Sequence, residues 1–219
     1  MKISLLIPTR GRPAEFSRCI DSFRANTKKV KLEVVALIDS DEPARKDYPK
    51  KKIDAWVYGR EENPDLVYEY PETPGTVQMW NHLARHATGD YLMMINDDNI
   101  METEGWDVIL AATKPADDIF VAWPNGQQGQ CVNPLISRKL YNILGWFVPR
   151  CFNWWYADTA LHALGTLVGR TCYMPNVLCR STIHKEITKD QQMADYARFL
   201  KWTKEERPGL TRKIWGEMV

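Results

Sequence analysis

The chain has 219 residues, 44% of them apolar and 26% charged, with a formal net charge of +1. Such a composition suits a globular protein with one substantial core, and it excludes collagenous, low-complexity and strongly polyionic chains. No run of 18 apolar residues occurs, so no membrane span or secretory leader is expected and the protein is expected to be cytoplasmic.

The elements follow in chain order. "ISLLIPT" (3–9) is a continuous apolar run bounded by prolines and Gly11, the pattern of a strand buried on both faces. "PAEFSRCIDSFRAN" (13–26) places Phe16, Cys19, Ile20 and Phe23 at helical spacing. "LEVVALID" (32–39) reads as a second buried strand, "AWVYG" (55–59) as a third and "LVYEY" (66–70) as a fourth. "GTVQMWNHLARHA" (75–87) predicts a helix with Val77, Trp80, Leu83 and Ala84 inward, and "YLMMIN" (91–96) is the next strand. Beyond residue 120 come a strand, a Gly- and Gln-rich loop, a short helix over 135–147 stopped at Gly145, a helix over 156–165, and one C-terminal helix over 187–210. Strands alternating with helices predict an α/β open sheet, mostly parallel, with helices on both faces. The lack of repeats and linkers predicts a single continuous domain.

Charge is uneven along the chain. Residues 1–130 hold 16 basic and 21 acidic side chains, whereas residues 131–219 hold 13 and 7. A basic second half suits an anionic ligand or a solvated surface equally well. The nine tryptophans suit both cores and binding surfaces. The five cysteines (19, 131, 151, 172 and 179) lack CxxC spacing, so reduced, mostly buried thiols are expected and a zinc site is not.

In open α/β sheets, ligands bind beyond the carboxyl ends of the strands. "PTRGRP", "DSDEP" and "NDDN" all fall at such ends. Asp97 and Asp98 are adjacent acids delivered by a hydrophobic strand, and burying such a pair is costly without a compensating cation or hydrogen bonds. Mg²⁺ or Mn²⁺ would compensate, since hard cations take carboxylates together with substrate phosphates. Arg10 and Arg12 on the first loop would help to neutralise a diphosphate. A plain turn is the alternative for Asp97 and Asp98, and a cap or turn for Asp39 and Asp41.

Together, "ISLLIPTRGRP", "VVALIDSDEP" and "ETPGTVQMWNHLARHATGDYLMMINDDNIM" resemble the nucleotide-binding half of family 2 glycosyltransferases of the GT-A fold. The resemblance implies a Rossmann-like single domain, with residues 1–110 as the nucleotide-sugar-binding half and 111–219 as the acceptor-binding half. It implies a metal-dependent, inverting transfer from a nucleotide diphosphate sugar, a UDP-sugar foremost. The acidic motif maps to Asn96-Asp97-Asp98, with an asparagine in place of the first acid. Asp98 would then be the direct metal ligand and Asp97 would sit near the ribose or metal. Pro8, Thr9, Arg10 and Arg12 would line the nucleotide and Asp39 would accept from base or ribose. Gly75 would let the backbone approach the ligand, and Asn81 or Arg85 would lie near the sugar.

"WWYADTALHALG" is similar to the family segment in which a helix-start carboxylate takes the acceptor proton. Ala157 replaces the usual first acid, so Asp158 becomes the base, with a helix cap as the alternative. Trp154, Trp155 and Tyr156 would stack on an acceptor ring or sugar face, or pack in the core, and Trp146 would make a stacking acceptor contact. His184 matches the position of a third metal ligand, with Lys185 a phosphate partner, while His82, His86 and His162 receive no role. Acceptors left open are a glycan, a protein, a small molecule, or a hydroxylated base in DNA. The rival readings are a nucleotidyltransferase, whose loops are richer in glycine than "PTRGRP", and a nucleotide- or glycan-binding module whose catalysis has lapsed.

Overall fold

Ile3, Leu5 and Ile7 bury one face of strand β1 (Lys2–Thr9) and Leu6 buries the other, so the apolar run marks a strand with no solvent face. The computed structural model describes residues 1–39, 41–58, 75–126, 129–182 and 189–218. Around β1 lie β2 (Lys31–Ile38), β3 (Ala55–Tyr58), β4 (Tyr91–Met94), β5 (Asn99–Met101), β6 (Val121–Asn125), β7 (Leu135–Ser137) and β8 (Thr171–Ser181). The described strands form one sheet in the order β3-β2-β1-β4-β7-β6-β8-β5. The β1–β2, β1–β4, β2–β3 and β6–β8 pairings are parallel, and β4–β7, β6–β7 and β5–β8 are antiparallel. The result is a single α/β domain with a mixed, mostly parallel sheet.

Helices cover both faces. On one, α1 (Pro13–Asn26) buries Phe16, Cys19, Ile20 and Phe23. Before Trp106 becomes part of a helix, the chain must leave β5; helix α3 (Trp106–Thr113) then sets Trp106 edge-on to Phe23 at 5.7 Å. On the other face lie α2 (Thr76–His86), α4 (Arg138–Leu144), α5 (Ala157–Leu167), α6 (Lys189–Glu205) and α7 (Arg207–Gly216), joined by one large apolar cluster.

Two expectations are revised. Leu135–Ser137, expected to be helical, is strand β7, and Ser137 caps α4 by accepting from Leu140 N at 3.1 Å. Gly145 (φ +79°) ends α4 in the left-handed conformation that glycine adopts without strain. The single C-terminal helix is two helices, broken at Glu206 with Pro208 at the start of the second. The fourth strand read in "LVYEY" (66–70) lies outside the described residues, whereas α3 and the length of β8 have no counterpart in the sequence reading.

Candidate active site

The parallel register sets Thr9 opposite Ile38 and Leu6 opposite Met94, so the loops after β1, β2 and β4 leave the same edge. Thr9 Oγ1 donates to Asp97 Oδ2 at 2.7 Å, and the Arg12 guanidinium sits 2.7 Å from Asp97 Oδ1. Asp97 is only 1% exposed, so these partners offset the cost of its burial. Arg10 donates to Asp39 at 2.8 Å and grips Asp41 through both terminal nitrogens at 2.6 and 2.9 Å. Those hydrogen bonds hold the Asp41 carboxyl below its usual value.

Two residues outside the motif shape the first loop. Buried Glu42 accepts from Gly11 N at 2.6 Å and from Ala44 N at 2.8 Å. Gly11 turns the chain at φ +71°, where a side chain would be strained. The Tyr48 hydroxyl accepts from Arg12 N at 3.3 Å and lies 3.2 Å from Thr9 Oγ1.

Asp98 is buried beside Asp97, and the Ser181 hydroxyl donates to its Oδ2. The β5–β8 pairing brings Ser181 there, and Thr182 donates from N and Oγ1 to the Asp98 carbonyl, each at 3.1 Å. Among the described residues, no group of three or more His, Cys, Asp or Glu side chains forms a metal cage. With Asp97 committed to Thr9 and Arg12, the oxygen donor set centres on Asp98. One carboxylate suits a hard cation only where ligand phosphates and water supply most of its shell.

Asp158 opens a separate cleft of about 370 Å³, walled by Gly129–Val132 on one side and by Asp158, Thr159 and His162 of α5 on the other. Its Oδ1 accepts from Thr159 N at 2.6 Å and from Thr159 Oγ1 at 3.2 Å, and no other described residue donates to Oδ2. Desolvation raises its pKa, against the lowering effect of the Thr159 hydrogen bonds. A carboxylate of this kind is a stronger base than one in water. The 131–133 segment joins cleft and acid pair: the Cys131 thiol feels the charge of Asp158, while Asn133 Nδ2 donates to Cys179 Sγ at 3.7 Å, two residues before Ser181.

The turn leading into α5 is clamped from two helices. Asp195 of α6 is wholly buried and accepts from the backbone of Asn153 (3.1 and 3.2 Å), Trp154 (2.7 Å) and Trp155 (2.9 Å), with Arg198 at 2.6 Å. From α2, Gln78 Nε2 donates to the Phe152 carbonyl at 2.6 Å and Val77 N to the Asn153 carbonyl at 3.2 Å. Tyr156 then enters α5 at φ +66°, an uncommon conformation for a bulky residue.

The family model for glycosyl transferase family 2 matches residues 4–164. The chain belongs to glycosyltransferase family 2. Solved structures of related fold include Staphylococcus aureus TarS 1–349 in complex with UDP-GlcNAc (12% identity, TM-score 0.67, covering 94% of this chain and 68% of that one). A second is the mannosyltransferase PcManGT from Pyrobaculum calidifontis in complex with GDP-Man and Mn²⁺ (14%, 0.63, 98% and 73%). A third is glucosyl-3-phosphoglycerate synthase from Mycobacterium tuberculosis in complex with Mg²⁺ and UDP (14%, 0.62, 92% and 78%). The chain spans 61% of the TarS 1–349 chain solved with UDP. No curated protein matches it.

Within this glycosyltransferase fold, Pro8, Thr9, Arg10, Arg12, Asp39, Asp97 and Asp98 gather at one edge of the sheet, as the sequence suggests. Arg10 is engaged by Asp39 and Asp41 instead of standing open to a diphosphate. Gly75 makes a close approach to the chain itself: a Cβ there would lie 1.9 Å from the Asn153 carbonyl oxygen. Asn81 is buried, spanning to the Phe147 and Val148 amides (2.9 and 3.1 Å) and the Val148 carbonyl (2.9 Å), so its amide serves the fold and not a sugar. Arg85 is exposed. Trp146 packs partly buried against the core and Trp155 is half-buried, whereas Trp154 is 42% exposed. His184 and Lys185 lie outside the described residues. Sequence reasoning missed Glu42, Tyr48, Ser181 and Asp195, whose spacing within their own segments carries no motif.

Proposed function

We propose that the protein transfers a glycosyl group from a nucleoside diphosphate sugar to an acceptor hydroxyl, with inversion. The observation that carries this reading is the Thr9–Asp97–Arg12 tie. It welds the loops after β1 and β4 into one polar rim and leaves Asp98 beside it. TarS, PcManGT and the mycobacterial synthase, which share this fold, are solved in complex with UDP-GlcNAc, GDP-Man and UDP, which supports a nucleotide-sugar donor.

Pro8 and Thr9 would floor the nucleotide site, and Arg10 would orient Asp39 toward base or ribose. Asp97 holds Arg12 at the rim, where its positive charge faces the departing diphosphate. Asp98, with His184, would hold Mg²⁺ or Mn²⁺, which when bound neutralises diphosphate charge. Asp158 would take the acceptor proton through Oδ2 as the hydroxyl attacks the anomeric carbon from the face opposite the leaving group. Trp154 offers an apolar surface at the mouth of the turn before Asp158. The two halves, 1–110 for the donor and 111–219 for the acceptor, divide this labour.

The test is thermal unfolding with a panel of nucleoside diphosphates, each with and without Mn²⁺. A ligand specific to the native state adds about 2.7 kcal/mol at a hundredfold excess over its Kd. One nucleotide should stabilise the protein in a metal-dependent way, and Asp98→Ala should abolish the effect. Product analysis should find a nucleoside diphosphate; pyrophosphate would mean nucleotidyl transfer, and no shift with any nucleotide would remove the donor site.

A further inference from the structure

The cleft at Asp158 continues into a run of aromatic rings that the proton-transfer chemistry does not use. Trp123 of β6 and Tyr173 of β8 are register partners on adjacent parallel strands, so their side chains share a face. Their rings stack at 5.6 Å and 24°. Trp123 also meets His162 edge-on at 4.9 Å and 67°. Trp123 is buried and donates from Nε1 to the Gly129 carbonyl at 3.1 Å, which ties the far wall of the cleft to the same rings. Tyr173 is 37% exposed, and its hydroxyl would lie 3.4 Å from a Cβ at Gly129. The rings therefore run from the cleft to the surface, with Trp123 as backing and His162 and Tyr173 as the accessible ends.

His162 lies one helical turn after Asp158, and i,i+4 side chains on a helix sit about 5–6 Å apart at Cβ. No described residue hydrogen-bonds its imidazole, although a neutral imidazole offers one donor and one acceptor. The cleft thus presents two polar groups that no described residue engages, Asp158 Oδ2 and the imidazole, next to an aromatic surface. No lysine or arginine is among the described residues lining it. A polyanion would find no countercharge there. The volume of about 370 Å³ falls within the range of about 300–1,000 Å³ typical of small-ligand clefts.

We propose that His162, Trp123 and Tyr173 form the acceptor subsite, and that it takes a neutral carbohydrate. On the transferase reading, on which this inference rests, the attacking hydroxyl lies on Asp158 Oδ2. His162 binds a neighbouring hydroxyl of the same ring. The apolar face of that ring, or of the next sugar, packs on Tyr173, as aromatic faces suit flat apolar surfaces with polar edges.

The experiment is saturation-transfer NMR on the intact protein, without donor, using methyl glycopyranosides and their disaccharides. A single-stranded oligodeoxynucleotide bearing a 5-hydroxymethylpyrimidine runs in parallel. At least one glycoside should receive saturation, with its Kd raised about tenfold in His162→Ala and severalfold in Tyr173→Ala. Val108→Ala, on an exposed site of α3, should leave the Kd unchanged. Far-UV circular dichroism melts will show that the variants are folded, and His162→Gln, which keeps a donor and an acceptor, should restore part of the affinity. No saturation of any glycoside, a Kd indifferent to both cleft substitutions, or binding of the oligonucleotide alone would overturn the proposal. The nucleotide melting panel is read separately, so a lost donor site and a lost acceptor subsite give different patterns.

Discussion

Asp195→Ala removes the buried carboxylate that holds the turn before α5. The Asp195 carboxylate has no solvent contact and gathers the N–H groups of Asn153, Trp154 and Trp155 with the Arg198 guanidinium. Removing it strands three backbone donors, each at about 1–3 kcal/mol when buried and unpaired. Arg198 is 42% exposed and returns to water, and a water entering the vacated space recovers part of the loss. The net cost should be about 3–5 kcal/mol, the range for breaking a buried ion pair from one side. That is a large share of the 5–15 kcal/mol available to a typical domain.

Asp195→Asn should cost about 2 kcal/mol, because one acceptor oxygen remains while an amide donor now faces other donors. Urea unfolding followed by far-UV circular dichroism gives both numbers, and hydrogen exchange locates the loss. The amides of 153–155 should exchange faster in both variants. The turn they hold carries Tyr156 at φ +66° into the helix of Asp158, so glycosyl transfer should fall more than donor binding. An Asp195→Ala protein within about 1 kcal/mol of wild type, with unchanged exchange at 153–155, would refute the clamp.

Gly75→Ala should fold poorly and melt well below wild type, because its Cβ would meet the Asn153 carbonyl at 1.9 Å and backbone must move; an unchanged melting temperature would show that the close approach is not maintained. Burial would raise the Glu33 carboxyl, but hydrogen bonds from Lys2, Ser4 and Thr88 outweigh it and hold the pKa at about 2, against 4.5 when free. This depressed value contributes about 3 kcal/mol that is fully present above pH 4.5 and is lost as pH falls toward 2. Glu33→Gln should therefore flatten the acid limb of the stability–pH curve, and an unaltered limb would reject the assignment. Burial raises the Asp158 pKa above 3.8, so its ionised form, the one the proposed base role needs, weakens folding at neutral pH. Asp158→Asn should melt no lower than wild type at pH 7 and lose transfer by about 10²–10⁴-fold. Wild-type turnover should fall as pH drops through the raised value, and near-normal turnover in the variant would remove Asp158 from its role.

How much of this site can be read from sequence depends on how far apart its partners lie. The gathering of these loops at one edge was legible because each contributing segment is a buried strand running directly into its polar loop: β1 into Thr9 to Arg12, β2 into Asp39, β4 into Asp97 and Asp98. In a parallel sheet those ends must meet, so local pattern carries long-range information. Gly75 was expected to let the backbone approach a ligand, but nothing local says what approaches, and the neighbour is the chain's own Asn153. Asn81 shows the same limit, since a polar residue on an amphipathic helix gives no sign that its amide will satisfy Phe147 and Val148. Asp195 is the extreme case. In "QQMADYARF" it reads as one more solvated acid, and only the fold turns it toward three amides some forty residues earlier. His162 likewise gains meaning only when β6 and β8 bring Trp123 and Tyr173 alongside α5. The loops after β1, β2 and β4 are thus specified by pattern within each strand and loop, whereas the surroundings of α5 are specified by contacts between elements. The polar edge of the sheet can be read from a single sequence on that account, while the cleft at Asp158 requires the tertiary neighbours.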